Sequence, residues 1–366
     1  MIASEKSTVN AVRLHFTNVV GLGAVRLAQS LLPALLQQRE FKVENIYLPA
    51  IGELSSFPLP PHHAVVTRYR RALPNIVSRL LECTVLGGKF NGNSPLLVFG
   101  DLPIRCKGDQ TVFVQTGLIL KGQDSARLLG AVKYMIARAV FRMNQRYAKS
   151  FIVQTEWMRR ALIESYPALE GRVQVISQPP PVWLAAAGIG RSAPALPRRG
   201  GLKLFYPAAS YPHKNHKLLA EIRDSENWPV AEFVLTLPPR QHPAPAVSWV
   251  HCVGHLQTDA VIEIYRTADA LLFLSLAESF GFPLIEAMSV GIPVVCPDLP
   301  YARALCGDEA IYFDPYSLRS LKQAINTLER KLDSGWWPDW TERLKAFPKD
   351  WNEVAARMLR LTSRES

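Results

Sequence analysis

Glu278 and Glu286, with seven residues between them, are the side chains in this sequence whose type and spacing point most directly to chemistry. They bracket Ser279-Phe280-Gly281-Phe282-Pro283-Leu284-Ile285, a stretch that turns and then starts a helix. Pro283 suits the first helical position, where a missing N–H costs nothing, and Gly291 suits the helix end. This places Glu278 at the carboxyl end of a strand and Glu286 in the first helical turn. Between them the loop from Ser279 to Pro283 turns backbone N–H groups outward at the positive end of the helix dipole, a place for phosphate or another anion. A carboxylate beside an anion site is tolerable when the ligand also has hydroxyls to donate. Sugars and ribose do, so the local chemistry points to a ligand that carries phosphate and polyol together.

The elements that hold this pair are short apolar runs. Ala270 to Leu276 reads as a strand buried on both faces, and Ile292 to Cys296 as a second. Strand, tight loop, helix and strand make a right-handed βαβ unit in a parallel sheet. Upstream, Leu202 to Tyr206 is another strand, and Lys214 follows it at a helix entrance, with Asn215 as the expected cap. A lysine just beyond a strand's carboxyl end can neutralise a diphosphate. At the start of the chain, Ala11 to Phe16 forms a strand, Gly21-Leu-Gly23 turns it, and Ala24 to Gln38 has helical spacing. Arg26 stands where a dinucleotide fingerprint would need its third glycine, so that motif is incomplete. The strand Phe151 to Thr155 leads into a further helix.

With 366 residues, 48% hydrophobic and 20% charged, the sequence fits a soluble globular protein of two domains. Its apolar runs stop well short of the roughly 18 residues that a spanning helix needs. Five cysteines without a Cys-x-x-Cys pair and an N-terminus without a secretory pattern imply a reducing, cytoplasmic setting. The net charge of +11 is unevenly divided. Residues 1–182 hold 22 Lys and Arg against 11 Asp and Glu, whereas the remainder holds 20 of each.

The basic excess has a focus. On a helix over residues 125–149, Arg127, Arg138, Arg142, Arg146 and Lys149 fall within a sector of about 100°. Leu128, Leu129, Val132, Ile136, Val140, Met143 and Tyr147 lie mainly on the other side. No acidic residue occurs between Asp124 and Glu156 to pair with the stripe. Such a stripe is either a solvated helix face or a face for an anionic membrane surface or a diphosphate-lipid acceptor. It lacks aromatic interleaving, which argues against nucleic acid. Adjacent His62 and His63 point to opposite sides of an extended chain, and no Asp-x-Asp pair occurs anywhere. No metal site is expected.

The setting Glu-Ser-Phe-Gly-Phe-Pro-Leu-Ile-Glu-Ala-Met-Ser-Val-Gly-Ile-Pro-Val-Val, with its Glu-x7-Glu, resembles the signature of retaining glycosyltransferases of family 4. Val-Gln-Thr-x-x-Met at residues 153–158 also recurs in bacterial polysaccharide glycosyltransferases. The resemblance implies an α/β GT-B fold, two Rossmann-like domains facing each other across a cleft. Residues 1–182 would form the acceptor-side domain, 183–350 the nucleotide-sugar domain, and 351–366 a last helix crossing back to the first domain. Lys214 and Glu278 would be catalytic. Lys214, Glu278, Ser279, Phe280, Gly281, Phe282, Pro283 and Glu286 would bind the donor, Glu286 through the ribose hydroxyls and Glu278 through the sugar. Gly21 and Gly23 would line the cleft.

The implied reaction is retaining, metal-independent hexosyl transfer from a UDP- or GDP-sugar to a glycan or lipid-linked acceptor in surface polysaccharide or lipopolysaccharide synthesis. It needs no cofactor and takes place at the inner face of the cell membrane, with the enzyme peripherally bound. Two departures from the family stand out. Ala208 and Ala209 occupy the place of a second basic residue, and Gln115 stands where a sugar-contacting histidine is sought. They leave a rival open, an inactive GT-B partner of a glycan assembly complex. A sugar-nucleotide epimerase, turning over without any acceptor, is a third reading.

Overall fold

The computed structural model describes residues 10–19, 21–71, 73, 75–120, 128–223 and 226–363. The chain divides into two compact units, Met1–Pro179 with Pro348–Ser366 and Pro180–Phe347. The expected boundaries lay at 182/183 and 350/351; the observed ones fall three residues earlier in each case.

The first unit contains β1 (Asn10–His15), α1 (Leu22–Leu36), β2 (Phe41–Pro49), β3 (Val65–Tyr69), α2 (Asn75–Cys83), β4 (Leu96–Phe99), β5 (Gln110–Phe113), α3 (Leu128–Asn144), β6 (Ser150–Val153), α4 (Glu156–Ser165) and β7 (Val173–Val175). Its strands form one parallel sheet in the order β3-β2-β1-β4-β5-β6-β7. β4, β5 and β6 are buried along their whole length, as strands covered by helices on both faces must be. β2 and β3 carry no clear apolar run, and sequence patterning did not single them out. β3 is an edge strand with Val65 61% exposed, so it has little core to declare itself by.

The Val-Gln-Thr-x-x-Met segment has a local explanation. Val153 ends β6, the Thr155 hydroxyl caps α4 by accepting the Met158 N–H at 3.2 Å, and Met158 is fully buried.

The second unit contains α5 (Val182–Ala187), β8 (Leu202–Tyr206), β9 (Val230–Leu235), β10 (Val250–Cys252), α6 (Thr258–Thr267), β11 (Ala270–Leu272), α7 (Phe282–Val290), β12 (Val294–Pro297), α8 (Pro300–Cys306), β13 (Ile311–Phe313), α9 (Leu318–Asp333) and the short α10 (Thr341–Leu344). Its parallel sheet runs β10-β9-β8-β11-β12-β13. Both sheets therefore reverse direction of build-up once, between β1 and β4 and between β8 and β11. Ligands of open α/β sheets bind at such switch points, beyond the carboxyl ends of the strands. No helix among the described residues is long and apolar enough to cross a membrane.

The last helix, α11 (Trp351–Ser363), packs on α1 and β1 of the first unit. Val354, Ala355, Met358 and Leu359 are fully buried there, and Gln38 Nε2 donates to the Asn352 carbonyl at 3.3 Å.

Two boundaries differ from expectation and matter for the site. α1 begins at Leu22, so Gly23 lies inside its first turn instead of the preceding loop. α7 begins at Phe282, with Gly281 as N-cap at φ 85° and ψ 56°. Pro283 is therefore the second helical residue, and Glu286 lies in the second turn.

Gly291 closes α7 at φ 87°, and a Cβ there would stand 2.8 Å from the Arg191 carbonyl oxygen. A left-handed backbone alone costs a side-chain-bearing residue about 1–2 kcal/mol. Gly291→Ala is expected to lose at least that much, read as a lower urea midpoint with an unchanged slope.

Candidate active site

At the β8/β11 switch point the loops after the two strands meet. Lys214 ends a 3-10 turn, Pro212–Lys214, beyond β8, and Glu278 lies beyond β11. The Lys214 ammonium donates to Glu278 Oε1 in a direct ion pair, with the side chains only 15% and 13% exposed. The ammonium also lies 5.8 Å from the centroid of the Phe273 ring.

The backbone around the pair is tied down. The Leu276 N–H and the Ser275 hydroxyl both donate to the His213 carbonyl, at 2.7 and 3.2 Å. The Tyr206 hydroxyl donates to the Lys214 carbonyl at 3.0 Å, and the Tyr301 hydroxyl to that of Ser275. Asn215 does not cap a helix as expected. It adopts a left-handed conformation at φ 56° and its amide donates to the Pro315 carbonyl at 2.9 Å. The segment after it is a 3-10 stretch, His216–Glu221.

Two histidines flank Lys214, and both are held neutral. Burial, then the charge of Lys214, lowers the His213 pKa; burial leads the same causes in bringing His216 to about 4. Ala208 is 5% exposed at the position where a second cation was sought. Lys214 is thus the cation of this loop.

The loop from Ser279 to Pro283 divides its work. Phe280 is 2% exposed and packs edge-on against Phe282 at 4.9 Å, so its side chain anchors the loop and leaves only its backbone for a ligand. Pro283 has no N–H and so offers an anion no backbone donor. The positive φ of Gly281 makes the turn, and a Cβ there would meet Leu284 Cδ1 at 3.2 Å.

Glu286 is buried, 9% exposed, with the Tyr265 hydroxyl donating to its Oε2 at 2.8 Å. Burial raises its pKa to about 7, and the Tyr265 hydrogen bond only partly offsets this. The sequence reading put Glu286 in the first helical turn; the structure puts it in the second, with its side chain buried.

In the first unit, Gly21 is the N-cap of α1, with no side-chain cap and no acidic residue in the first turn, and Gly21 and Gly23 both have open space where a Cβ would project. Beside it, at the end of β1, lies a cluster that sequence reasoning did not assemble. His15 Nε2 is 2.9 Å from Glu82 Oε1, the Thr17 hydroxyl donates to the same oxygen, and Arg71 donates to Glu82 Oε2 at 3.1 Å and to Asn18. Glu82 is fully buried, which alone would raise its pKa, yet His15, Thr17 and Arg71 together bring it down to about 2. Its partners lie far apart in sequence, so no local signal announces it. At the ends of β4 and β5, Asp101 takes φ 74° and its Oδ1 accepts the N–H groups of Gln115 and Thr116 at 2.6 and 3.0 Å.

Among the described residues the basic stripe does not lie on one continuous helix, because α3 ends at Asn144. Arg127 lies outside the described residues. Arg138 and Arg142 are on α3, Arg146 is on the following 3-10 turn Gln145–Tyr147, and Lys149 lies beyond both. Lys149 has an acidic partner that the local sequence does not contain, Asp109 at 3.4 Å. Met143, expected on the opposite side from the arginines, is 63% exposed, and Met135 is 61% exposed. Among the described residues no group of three or more His, Cys, Asp or Glu is gathered to hold a metal.

The comparisons with known proteins agree with this architecture. Solved structures similar over nearly the whole chain include sucrose-phosphate synthase from Thermosynechococcus elongatus, with 15% identity, a TM-score of 0.65 and coverage of 96% of this chain and 98% of that one. WaaG, a glycosyltransferase involved in lipopolysaccharide biosynthesis, has 15% identity and a TM-score of 0.63, covering 97% and 99%. Anabaena HepE in complex with UDP-glucose has 14% identity and a TM-score of 0.61, covering 95% and 98%. The fold is GT-B, built from two Rossmann-like domains.

Residues 248–333, which include Glu278 and Glu286, match the glycosyl transferases group 1 family. The O-antigen chain mannosyltransferase B of Escherichia coli is 30% identical over 88 residues, 24% of this chain and 23% of that protein. The O-antigen chain mannosyltransferase RfbU of Salmonella typhimurium is 35% identical over 71 residues, 19% of this chain and 20% of that protein. The matched stretches span about a quarter or less of those relatives' length. The family match thus falls within the second unit.

The raised pKa of Glu286 gives a measurable signature. A folded-state pKa above the unfolded one contributes stability that is present below pH 4.5 and lost as pH rises through about 7. Glu286→Gln is expected to remove that slope. Relative to wild type, the variant should gain roughly 3 kcal/mol between pH 4.5 and 8, read from thermal unfolding across pH.

Proposed function

We propose that this protein is a retaining, metal-independent glycosyltransferase that moves a hexosyl group from a nucleoside-diphosphate sugar to a glycan or lipid-linked acceptor in surface polysaccharide or lipopolysaccharide synthesis. The observation that carries the reading is the juxtaposition of Lys214 and Glu278 at the β8/β11 switch point, with Glu286 on the helix that follows. Glycosyl transfer needs a departing diphosphate stabilised, sugar hydroxyls held and an acceptor hydroxyl oriented. Lys214 and the amides of Ser279 to Phe282 would take the diphosphate, the role that a metal fills in other folds. Glu278 would accept hydroxyls of the donor sugar, and Glu286 those of the ribose. As the bond from the sugar carbon to the diphosphate breaks, the negative charge that develops on the leaving oxygen lies nearest the Lys214 ammonium.

The donor is a UDP- or GDP-sugar. Several sequence relatives are named mannosyltransferases and HepE holds UDP-glucose, so mannosyl and glucosyl donors head the panel to be tried. Lys214→Ala and Glu286→Ala are each expected to weaken donor binding by tenfold or more in calorimetry, and transfer should persist in EDTA. Unchanged donor affinity in both variants would refute the site assignment.

The acceptor side is assigned to the first unit, which carries the charge excess. On α3, Arg142, Met143 and Met135 are exposed, a mixture of cation and apolar side chain that suits the headgroup region of an anionic membrane. On this reading the enzyme would act peripherally at the cytoplasmic face of the cell membrane. Charge reversal at Arg138 and Arg142 is expected to release the protein from anionic vesicles in co-sedimentation; retention equal to wild type would exclude α3 as the contact.

A further inference from the structure

We infer that Lys214 and Glu278 exchange partners when the donor binds, and that this exchange makes the site prefer the intact sugar nucleotide to the nucleoside diphosphate it releases. The inference rests on the donor-site reading above and goes beyond it. The two charges neutralise each other directly, with both side chains largely withdrawn from water. Their backbones cannot move apart freely, because the His213 and Lys214 carbonyls hold the Leu276 N–H and the Ser275 and Tyr206 hydroxyls. Separation must therefore come from rotation of the side chains.

The surroundings decide what separation costs. From β8 and α8, Tyr206 and Tyr301 face Glu278 as neutral phenols, their pKa values pushed up first by burial and then by its charge. His213 and His216 are uncharged at neutral pH. Among the described residues, Lys214 is the ion-pair partner of Glu278.

A diphosphate that draws the Lys214 ammonium to itself leaves Glu278 as a largely buried carboxylate facing another anion. An unpaired buried charge is costly. A donor sugar repairs the loss by giving hydroxyls to the freed carboxylate. A bare nucleoside diphosphate has none at that place, so it must either leave Lys214 on Glu278 or strand Glu278. The same pair would thereby retain substrate and help to expel product.

Calorimetry of the full-length protein with UDP, GDP and their hexose conjugates tests this directly. For whichever base binds, wild type is expected to hold the sugar nucleotide at least tenfold more tightly than the diphosphate. In Glu278→Gln the diphosphate should tighten and that ratio should fall toward one. Because Lys214→Gln alone strands Glu278, it should lose more diphosphate affinity than Lys214→Gln/Glu278→Gln, a comparison that survives if Glu278→Gln folds poorly. Equal wild-type affinities, or a ratio unchanged by Glu278→Gln, would overturn the exchange while leaving the donor site standing. Absence of binding by every sugar nucleotide and diphosphate would overturn both.

Discussion

The ion pair between Lys214 and Glu278 is the interaction around which the candidate site of the second unit is arranged. It joins loops from strands that are adjacent in the sheet but 64 residues apart in sequence. The surrounding hydrogen bonds from Tyr206, Ser275, Leu276 and Tyr301 leave those loops little backbone freedom. A buried pair of this kind gains less stability than its geometry suggests, because desolvation of both charges opposes their attraction. Its position at a topological switch point gives it a use that stability alone does not.

Three glutamates show how environment sets the chemistry of one side chain. Glu82, with a histidine, a hydroxyl and an arginine around it, stays ionised down to about pH 2 despite complete burial. Glu286, with only the Tyr265 hydroxyl, is raised to about 7 by the same burial. Glu278 has a full counter-charge in contact. The first fits a fixed structural carboxylate that braces the turn into α1. The second is a carboxylate short of donors, the state in which a ligand's hydroxyls gain most by arriving. The third is already satisfied, and any ligand must compete for it.

What could be read from sequence was what is local. The apolar runs of β11 and β12, and the Gly291 stop between them, are adjacent residues obeying short-range rules, and the strand–loop–helix–strand reading agrees with the structure. The helix start was misplaced by one residue because Gly281, in a left-handed conformation, takes the N-cap that the proline pattern assigned to Phe282. That single step moves Glu286 from the first turn to the second. The Glu82 cluster was illegible for the opposite reason: Glu82 lies 67 residues from His15, and only the β1–β4 arrangement brings α2 to the end of β1. Lys149 was read as unpaired because Asp109 is 40 residues away. β2 and β3 offered mixed, partly exposed sequences with no run to recognise.

The division of charge along the chain bears on how each unit would meet a ligand. Residues 1–182 carry the whole +11, while the rest of the chain balances. A neutral unit whose loop cation is already paired exerts little pull on a distant polyanion, so capture there relies on contacts made at short range, amide by amide and hydroxyl by hydroxyl. A basic unit acts out to a Debye length, about 8 Å at physiological salt, and loses that reach as salt rises. Salt would therefore weigh heavily on attachment to an anionic surface and lightly on donor binding. On the proposed reading, one unit would discriminate among small polar ligands at short range while the other would meet an anionic surface by charge.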